Sequence, residues 1–107
     1  MVDTDDDTST SDFVESVRDI VAAIPTGRAM TYGEVAAALG SRGARAVGHI
    51  MSRYGSDLPW WRVVRAGGHP PLGHETRALE QYWSEGMPLI RTPSGYRVDM
   101  KRAHFRP

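Results

Sequence analysis

Two adjacent tryptophans, Trp60 and Trp61, stand out among the residues of this sequence that could form a site. They follow Pro59 and precede Arg62 and two β-branched residues. Neighbouring side chains of an extended segment point to opposite faces, so we expect one indole to face the interior, while the other needs a different reason to be there. An indole nitrogen donates a hydrogen bond, but it offers neither a thiolate nor a basic lone pair. The pair therefore cannot itself carry nucleophilic or acid–base catalysis.

The sequence contains no cysteine, which excludes disulfides, thiolate metal sites and a cysteine nucleophile. Its four histidines are not spaced as metal ligands are, and we interpret them as solvated or capping side chains. Neither a metal nor a cofactor is predicted. An enzyme of another chemistry, built from the histidines and Glu85, stays open as an alternative. The histidines are His49, His69, His74 and His104.

The formal net charge of zero hides an uneven distribution of charge along the chain. Residues 1–12 hold five aspartates and no basic residue, so residues 13–107 hold all 13 basic residues against 8 acidic ones, a net of +5. Twelve of the 13 basic residues are arginine, whose planar fork suits phosphate contacts and stacking on bases. Taken alone, this excess is a weak indication of a nucleic-acid partner, because solvated basic faces are common.

Hydrophobic residues at helical spacing predict a first helix that opens at Ser11 and ends before Pro25, after a disordered acidic arm of residues 1–10. Thr31 and Glu34 have the spacing of a capping box, and they predict a second helix that stops at Gly40. A glycine-bearing turn then leads to a third helix over residues 44–52. Two short helices joined in this way form a helix-turn-helix.

The C-terminal half is predicted to add one more long helix, from His74 to Glu85, with Leu79, Tyr82 and Trp83 facing inward. A Pro-Ser-Gly turn after residue 92 then predicts a small hairpin. The length suits one domain with one core, which we assign to residues 11–107. The predicted fold class is therefore mainly α with a small β hairpin, of a helix-turn-helix or winged-helix-like type. No apolar run is long enough for a transmembrane helix.

The order of these segments resembles the DNA-binding domain of the O6-alkylguanine-DNA alkyltransferases. Three signatures carry the match, within residues 24–36, 44–48 and 59–68. In that family the third signature has a cysteine that accepts the alkyl group and a histidine that acts as its base, where this sequence has Trp60 and Trp61. A tryptophan at the cysteine position is the mark of the alkyltransferase-like proteins, although these usually keep the histidine. The loop that follows is also shorter than in relatives, and the family's asparagine after the recognition helix is missing.

The resemblance implies a monomer that binds O6-alkylguanine in double-stranded DNA and turns the base out of the helix. It would pass the lesion to nucleotide excision repair proteins without repairing it. No membrane is implied, and the expected location is cytoplasmic, with the nucleoid in a bacterium, or nuclear in a eukaryote. The implied fold is that of the alkyltransferase C-terminal domain.

Taking a base out of the stack requires a lever on the backbone, a plug for the vacancy and a pocket. The resemblance implies that Tyr32 crowds the target phosphate and that Arg45 replaces the lost base in the stack. Glu85 matches the third member of the family's proton relay. Since no histidine remains for it to orient, we interpret Glu85 as a carboxylate at the end of a helix.

The third helix carries small residues that would let its backbone settle into the minor groove, although close packing against a neighbouring element explains Gly48 almost as well. The expected groove-facing small residues are Ala44, Ala46 and Gly48. The expected phosphate contacts are Arg53, Arg62 and Arg65, although Arg62 could instead structure its own loop. The expected lesion pocket consists of Tyr32, Trp60, Trp61 and Val63. Trp60 would stack on the flipped base, and a core position stays open for Trp61.

Two non-enzymatic alternatives stay open beside lesion binding. A helix-turn-helix transcription regulator would bind one undamaged sequence in the major groove. A degenerate alkyltransferase scaffold would act as a protein-interaction module without affinity for DNA. The three functions differ in whether binding depends on a lesion, on the base sequence, or on neither.

Overall fold

The computed structural model describes the backbone of residues 2–40 and 43–107, and the side chains within those ranges from residue 12 onward. The described chain forms five α-helices and four short strands. In chain order these are α1 (Val2–Ala22), β1 (Met30–Thr31), α2 (Tyr32–Ala38), α3 (Ala44–Tyr54), β2 (Val63–Val64), α4 (Glu75–Glu85), β3 (Leu89–Thr92), β4 (Gly95–Val98) and α5 (Met100–Ala103). Two 3-10 helices flank β2, at Trp60–Arg62 and Ala66–Gly68. The predicted fold class, mainly α with a small hairpin, is confirmed.

The helix α1 begins nine residues before its predicted start at Ser11, so the segment predicted as a disordered arm falls at its N-terminal end. Aspartates favour this end of a helix, because they offset the positive pole of its dipole. The division into an arm and a domain stays a prediction. No helix among the described residues is both long enough and apolar enough to cross a membrane.

The predicted capping box is present at the start of α2. The Thr31 hydroxyl accepts a hydrogen bond from the Glu34 amide at 3.0 Å, and the Glu34 carboxylate accepts one from the Thr31 amide at 2.8 Å. These two bonds satisfy amides that would otherwise lack partners in the first turn. They fix where α2 begins, and therefore fix the position of Tyr32 as its first residue.

A parallel pairing of β1 with β2, which the sequence analysis missed, joins the two halves of the chain. Met30 pairs with Val63, and Thr31 pairs with Val64. Strands of two residues are too short to produce an alternating pattern of apolar and polar residues, so no sequence pattern indicates this pairing. Because the strands are parallel, the pairing sets Tyr32, which follows β1, beside Arg65, which follows β2.

The hydrophobic core consists of two clusters on either side of this strand pair. The first packs α1, α2 and α3 around β1 and β2, through Val17, Val21, Ile24, Met30, Val35, Ala36, Val47, Ile50, Met51 and Val63. The second packs α4, the hairpin and α5 against the opposite side, through Ala29, Val64, Ala78, Tyr82, Met87, Val98 and Ala103. Trp60 is partly buried and packs against both clusters.

The inward face predicted for α4 is partly wrong. Tyr82 is fully buried, as predicted, but Trp83 is 68% exposed. Ala78 and Tyr82, four residues apart, form the stripe that meets the core. Trp83 is one residue further along and is therefore rotated by about 100° from that stripe. Gly86 ends α4 in the left-handed conformation, with φ 68°, as a glycine C-cap does.

Candidate nucleic-acid interface

A cavity of about 310 Å³ lies between the start of α2, one face of α3, the 3-10 helix at Trp60 and the start of α4. This volume falls at the lower end of the range for small-ligand pockets. Its wall combines residues that the sequence analysis selected with residues that it missed. They include Tyr32, Gly48, Trp60, Leu72, His74 and Arg77.

Trp60 forms an aromatic wall of the cavity. Its ring lies 5.5 Å from that of Trp61, at 85°, and 5.5 Å from that of His74, at 57°. Edge-to-face contacts of this kind hold the indole without covering all of its surface. The structure therefore brings Trp60 to the cavity, where the sequence analysis expected it.

Tyr32 reaches the same cavity from the first turn of α2. Burial raises the pKa of its phenol, and the nearby charge of Arg65 lowers it by less. The side chain is therefore a neutral hydrogen-bond donor at physiological pH. Its position at the start of α2, on the cavity wall that α3 also lines, is compatible with the predicted contact to a target phosphate. That contact stays a prediction.

The helix α3 presents an exposed surface beside the cavity mouth. Ala44 and Arg45 are exposed, Ala46 is partly exposed, and Arg45 has no hydrogen-bond or ion-pair partner among the described residues. A Cβ built on Gly48 would have no atom within 4 Å outside its own helix turn and chain neighbours. Close packing against a neighbouring element therefore does not explain Gly48. The open space leaves room for a ligand to approach the backbone of α3.

Trp61 does not line the cavity in this structure, and its place in the lesion pocket stays a prediction. Its indole nitrogen donates a hydrogen bond of 2.6 Å to the Glu85 carboxylate. Its ring packs against the second core cluster. Trp60 and Trp61 belong to one turn of 3-10 helix, so they diverge by the rotation of that helix rather than by the alternation of a strand.

Glu85 is the centre of a hydrogen-bond network and is more than the helix-terminal carboxylate that we predicted. Arg62 donates to it from Nε, at 3.1 and 3.0 Å, and from Nη2, at 2.7 Å. The Gly27 amide adds a bond of 2.9 Å, besides the bond from Trp61. Burial raises the pKa of the Glu85 carboxyl, but the hydrogen bonds from Arg62, Gly27 and Trp61 outweigh burial, so that this pKa lies below its ordinary value.

Arg62 is held inside this network and does not extend to the surface as a phosphate contact would. Its side chain is 15% exposed and that of Glu85 is 8% exposed. The guanidinium also donates to the Ile24 carbonyl at 2.8 Å and to the Thr26 hydroxyl at 3.2 Å. The geometry thus supports the alternative that Arg62 structures its loop, and a phosphate contact by Arg62 stays a prediction. The network ties the Trp60–Arg62 helix to the end of α4 and to the turn after α1.

Val63 is fully buried in the first core cluster and pairs with Met30. It does not line the cavity in this structure, and its place in the lesion pocket stays a prediction. Arg65 donates to the Pro70 carbonyl at 2.8 Å, which closes the loop after β2. Arg53 is exposed on α3, with its guanidinium 5.7 Å from the ring centroid of Tyr54. Phosphate contacts by Arg53 and Arg65 stay predictions.

The described residues contain no cluster of three or more histidine, aspartate or glutamate side chains that could hold a metal ion. His104 contacts the Glu34 carboxylate beside the capping box, and His74 contacts Trp60. The sequence analysis missed Leu72, His74 and Arg77 as cavity residues. The spacing of His74 and Arg77, three residues apart at the start of a helix, was the available signal that they share a face.

The family described as "6-O-methylguanine DNA methyltransferase, DNA binding domain" matches residues 12–83 of the 107. The chain belongs to this family of 6-O-methylguanine DNA methyltransferase DNA-binding domains. Its alkyltransferase-like character, inferred from Trp60, is confirmed by the relatives that follow.

Among relatives of this family, the Escherichia coli "DNA base-flipping protein" is 52% identical over 75 residues, which cover 63% of this chain and 58% of that protein. The chain thus matches less than two thirds of that bacterial protein's length. The Schizosaccharomyces pombe "Alkyltransferase-like protein 1" is 30% identical over 104 residues, covering 90% of this chain and 96% of that protein.

Solved structures of the S. pombe protein match the fold of this member of the family. One is its complex with damaged DNA containing O6-carboxymethylguanine, with a TM-score of 0.80 at 30% identity, covering 91% of this chain and 97% of the other. A second, described as S. pombe ATL in complex with DNA, gives a TM-score of 0.79 at 30% identity. Both confirm the predicted alkyltransferase-like fold.

Proposed function

We propose that the protein binds O6-alkylguanine in double-stranded DNA and holds the flipped base in the cavity beside Trp60, without removing the alkyl group. The observation that carries this proposal is the cavity itself, which opens next to the bare surface of α3. The solved complex of the S. pombe relative with damaged DNA supports the same function for this chain.

The proposed binding mode assigns a step to each described element. The small residues of α3 let its backbone approach the minor groove, where Arg45 enters the stack in place of the flipped base. Tyr32 crowds the phosphate of the turned nucleotide from the start of α2. Trp60 then stacks on the base inside the cavity. Stacking on an aromatic side chain is worth about 1–3 kcal/mol per base, which offsets much of the cost of unstacking a weakened pair.

The absence of alkyl transfer follows, in this proposal, from the residues at the two reactive positions of the family. Trp60 replaces the acceptor cysteine and Trp61 replaces the base. Neither indole can accept an alkyl group from guanine or remove a proton at neutral pH. His74 contacts Trp60, but no aspartate or glutamate of the described chain lines the cavity to complete an acid–base pair with it.

A binding titration tests this proposal with two duplexes that differ only in O6-methylation of one guanine. We expect tighter binding to the methylated duplex and no mass change in either partner after incubation. Equal affinity for both duplexes would contradict lesion recognition, and a protein mass increased by one methyl group would contradict the absence of transfer.

Arg45→Ala and Arg53→Ala provide a matched pair of variants on α3, since both arginines are exposed. Loss of a phosphate contact at Arg53 should weaken binding to both duplexes by a similar factor. Loss of the intercalating side chain at Arg45 should reduce the preference for the lesion. An unchanged preference in Arg45→Ala would contradict its role as the plug.

We further propose that the protein is a cytoplasmic or nucleoid-associated monomer, nuclear in a eukaryote, that hands the lesion to nucleotide excision repair proteins. The absence of transfer supports a hand-over, because a bound lesion would otherwise persist. Sedimentation of the free protein and of its DNA complex would test the monomer. Epistasis with excision-repair mutants in cells treated with an alkylating agent would test the hand-over.

A further inference from the structure

A positively charged side chain stands at the wall of the cavity, and no step of the proposed function uses it. Arg77 lies in the first turn of α4, and its guanidinium carbon is 5.4 Å from the ring centroid of Trp60. A cation above an indole face is attracted by the negative charge of the ring, which holds the arginine in place. The guanidinium is therefore positioned against the same indole that we propose as the stacking surface.

Arg77 is also the source of the cavity's net charge. Among the residues that line the cavity it is the one side chain with a permanent charge, and no aspartate or glutamate lines it. Across the described chain, no carboxylate oxygen lies within 4 Å of its guanidinium nitrogens. Glu75, two residues earlier in the same turn, accepts a hydrogen bond from the Gly73 amide at 3.2 Å. The forked donors of Arg77 are thus left for a ligand.

We propose, on the basis of the lesion binding set out above, that the cavity prefers O6 substituents that carry a carboxylate, and that Arg77 is the residue that determines this preference. The planar guanidinium offers paired N–H donors that match the two oxygens of a carboxylate. The Trp60 ring lies 5.4 Å from the guanidinium carbon, so an ion pair formed there is less hydrated than a pair on the open surface. A neutral methyl group gains nothing from this charge.

The test compares two lesions of nearly equal shape and different charge. O6-carboxymethylguanine carries a carboxylate, and O6-carbamoylmethylguanine replaces it with a neutral amide. Each is placed in the same duplex, beside O6-methylguanine and unmodified guanine, and titrated with the full-length protein at about 0.1 M salt. We expect the carboxymethyl duplex to bind roughly three- to tenfold more tightly than the carbamoylmethyl duplex, the range for a charge-assisted bond at a partly exposed site.

Arg77→Gln should bring this ratio close to one, whatever factor its place in the cavity wall contributes to the affinity for O6-methylguanine. Arg77→Lys keeps the charge but not the fork, and it should retain part of the ratio. Arg53→Gln is the control, because Arg53 is exposed on α3 and does not line the cavity. It should lower the affinity for all four duplexes alike and leave the ratio intact. Thermal unfolding of each variant checks that the fold is kept.

Three outcomes would overturn the proposal: a ratio near one in the wild type, a ratio that survives Arg77→Gln, or an equal loss on all four duplexes in that variant. The last would make Arg77 a contact to the DNA backbone. Failure of the proposed function itself looks different, since the O6-methylguanine and unmodified duplexes would then bind the wild type equally.

Discussion

Trp60 occupies the point where the two core clusters and the cavity meet. One part of its indole packs against both clusters, and another part lines the cavity. A partly buried indole costs little conformational entropy when a base stacks on it, because its rotamer is already fixed by packing. This residue therefore combines a structural role with the proposed stacking role. A substitution of Trp60 is expected to change both the stability of the fold and the binding of DNA.

We expect Trp60→Ala to lower the affinity for an O6-methylguanine duplex by about 5- to 150-fold, corresponding to the loss of about 1–3 kcal/mol of stacking. Affinity for unmodified duplex should change much less, because contacts with the DNA backbone remain. Fluorescence anisotropy with both duplexes measures the two effects. Trp83→Ala is the control, since Trp83 is 68% exposed and lies outside the cavity. If Trp60→Ala kept the full preference for the lesion, the stacking role would be wrong.

Two substitutions at Gly48 separate an effect on stability from an effect on DNA binding. An added Cβ would meet no atom within 4 Å outside its local turn, and alanine is better than glycine in a helix interior by about 1 kcal/mol. We therefore expect Gly48→Ala to raise the free energy of unfolding by up to about 1 kcal/mol, measured in urea, and Gly48→Leu to weaken binding to duplex DNA by obstructing the approach to α3. Binding by Gly48→Leu at wild-type affinity would exclude a close approach of DNA at this position.

At this scale the structure brings Tyr32 and Trp60 to the cavity, and each lies in a motif with specific neighbours. It places Trp61, Arg62 and Val63 outside the cavity lining. The positions of Trp61 and Arg62 depend on the register of a single 3-10 turn and on the distant carboxylate of Glu85, which no local pattern reveals. Nearest-neighbour reasoning cannot decide which of two adjacent indoles turns towards a cavity.

At the level of elements, the Glu85 network holds together three segments that are distant in sequence. It joins the end of α4, the Trp60–Arg62 helix and the turn after α1 through bonds to Trp61, Arg62 and Gly27. An ion pair of this kind contributes little in comparison with apolar packing while it is intact, but it costs much when one partner is removed. Its effect is therefore to fix the position of the 3-10 helix that carries Trp60.

We expect Glu85→Gln to lower the free energy of unfolding by about 3 kcal/mol, because it leaves the largely buried guanidinium of Arg62 without its counter-charge. Equilibrium unfolding in urea measures this change. Glu80→Gln provides the control, as Glu80 is exposed on the same helix. Equal stability of the two variants would mean that the network does not hold these segments together.

The elements themselves were largely predictable, and their errors have physical causes. Helical periodicity and the capping box predicted α2 and α3, and the Pro-Ser-Gly turn predicted the β3–β4 hairpin, in which Leu89 pairs with Val98. The β1–β2 pairing was not predictable, because each strand is only two residues long. Paired residues such as Met30 and Val63 are also 33 positions apart in the chain. The inward face of α4 was assigned one residue too far along the helix. The apolar pattern included the large side chain of Trp83 and left out the small side chain of Ala78.

Across the whole molecule, one ion pair ties the first helix to the loop that leads to the cavity. Arg18 on α1 donates two bonds of 2.9 Å to the Asp57 carboxylate and another to the Tyr54 carbonyl. The hydrogen bonds from Arg18 lower the pKa of Asp57 from 3.8 to about 2. A carboxyl whose pKa is lowered by folding stabilises the folded state above its unfolded pKa, and that contribution is lost as the pH falls through its folded pKa.

We therefore expect the unfolding temperature of the wild type to fall more steeply between pH 4 and about 2 than that of Asp57→Asn. The effect should be small and should shrink at high salt, because the pair is exposed to solvent. Thermal unfolding followed by circular dichroism at intervals of half a pH unit measures the two slopes. Parallel curves for the two proteins would mean that this pair does not contribute.

The hydrogen bond from the second indole to Glu85 has a consequence for any attempt to restore alkyl transfer to this scaffold. In the proposal that Trp60 and Trp61 replace the family's acceptor cysteine and base, a thiol introduced alone by Trp60→Cys would lie beside a ring that cannot take its proton, while the Glu85 carboxylate stays engaged by Trp61. Alkyl transfer would then require both positions at once, and the imidazole introduced by Trp61→His would have to take over the bond to Glu85. Since either substitution alone loses packing without adding chemistry, each of the two orders of substitution passes through one disadvantaged intermediate.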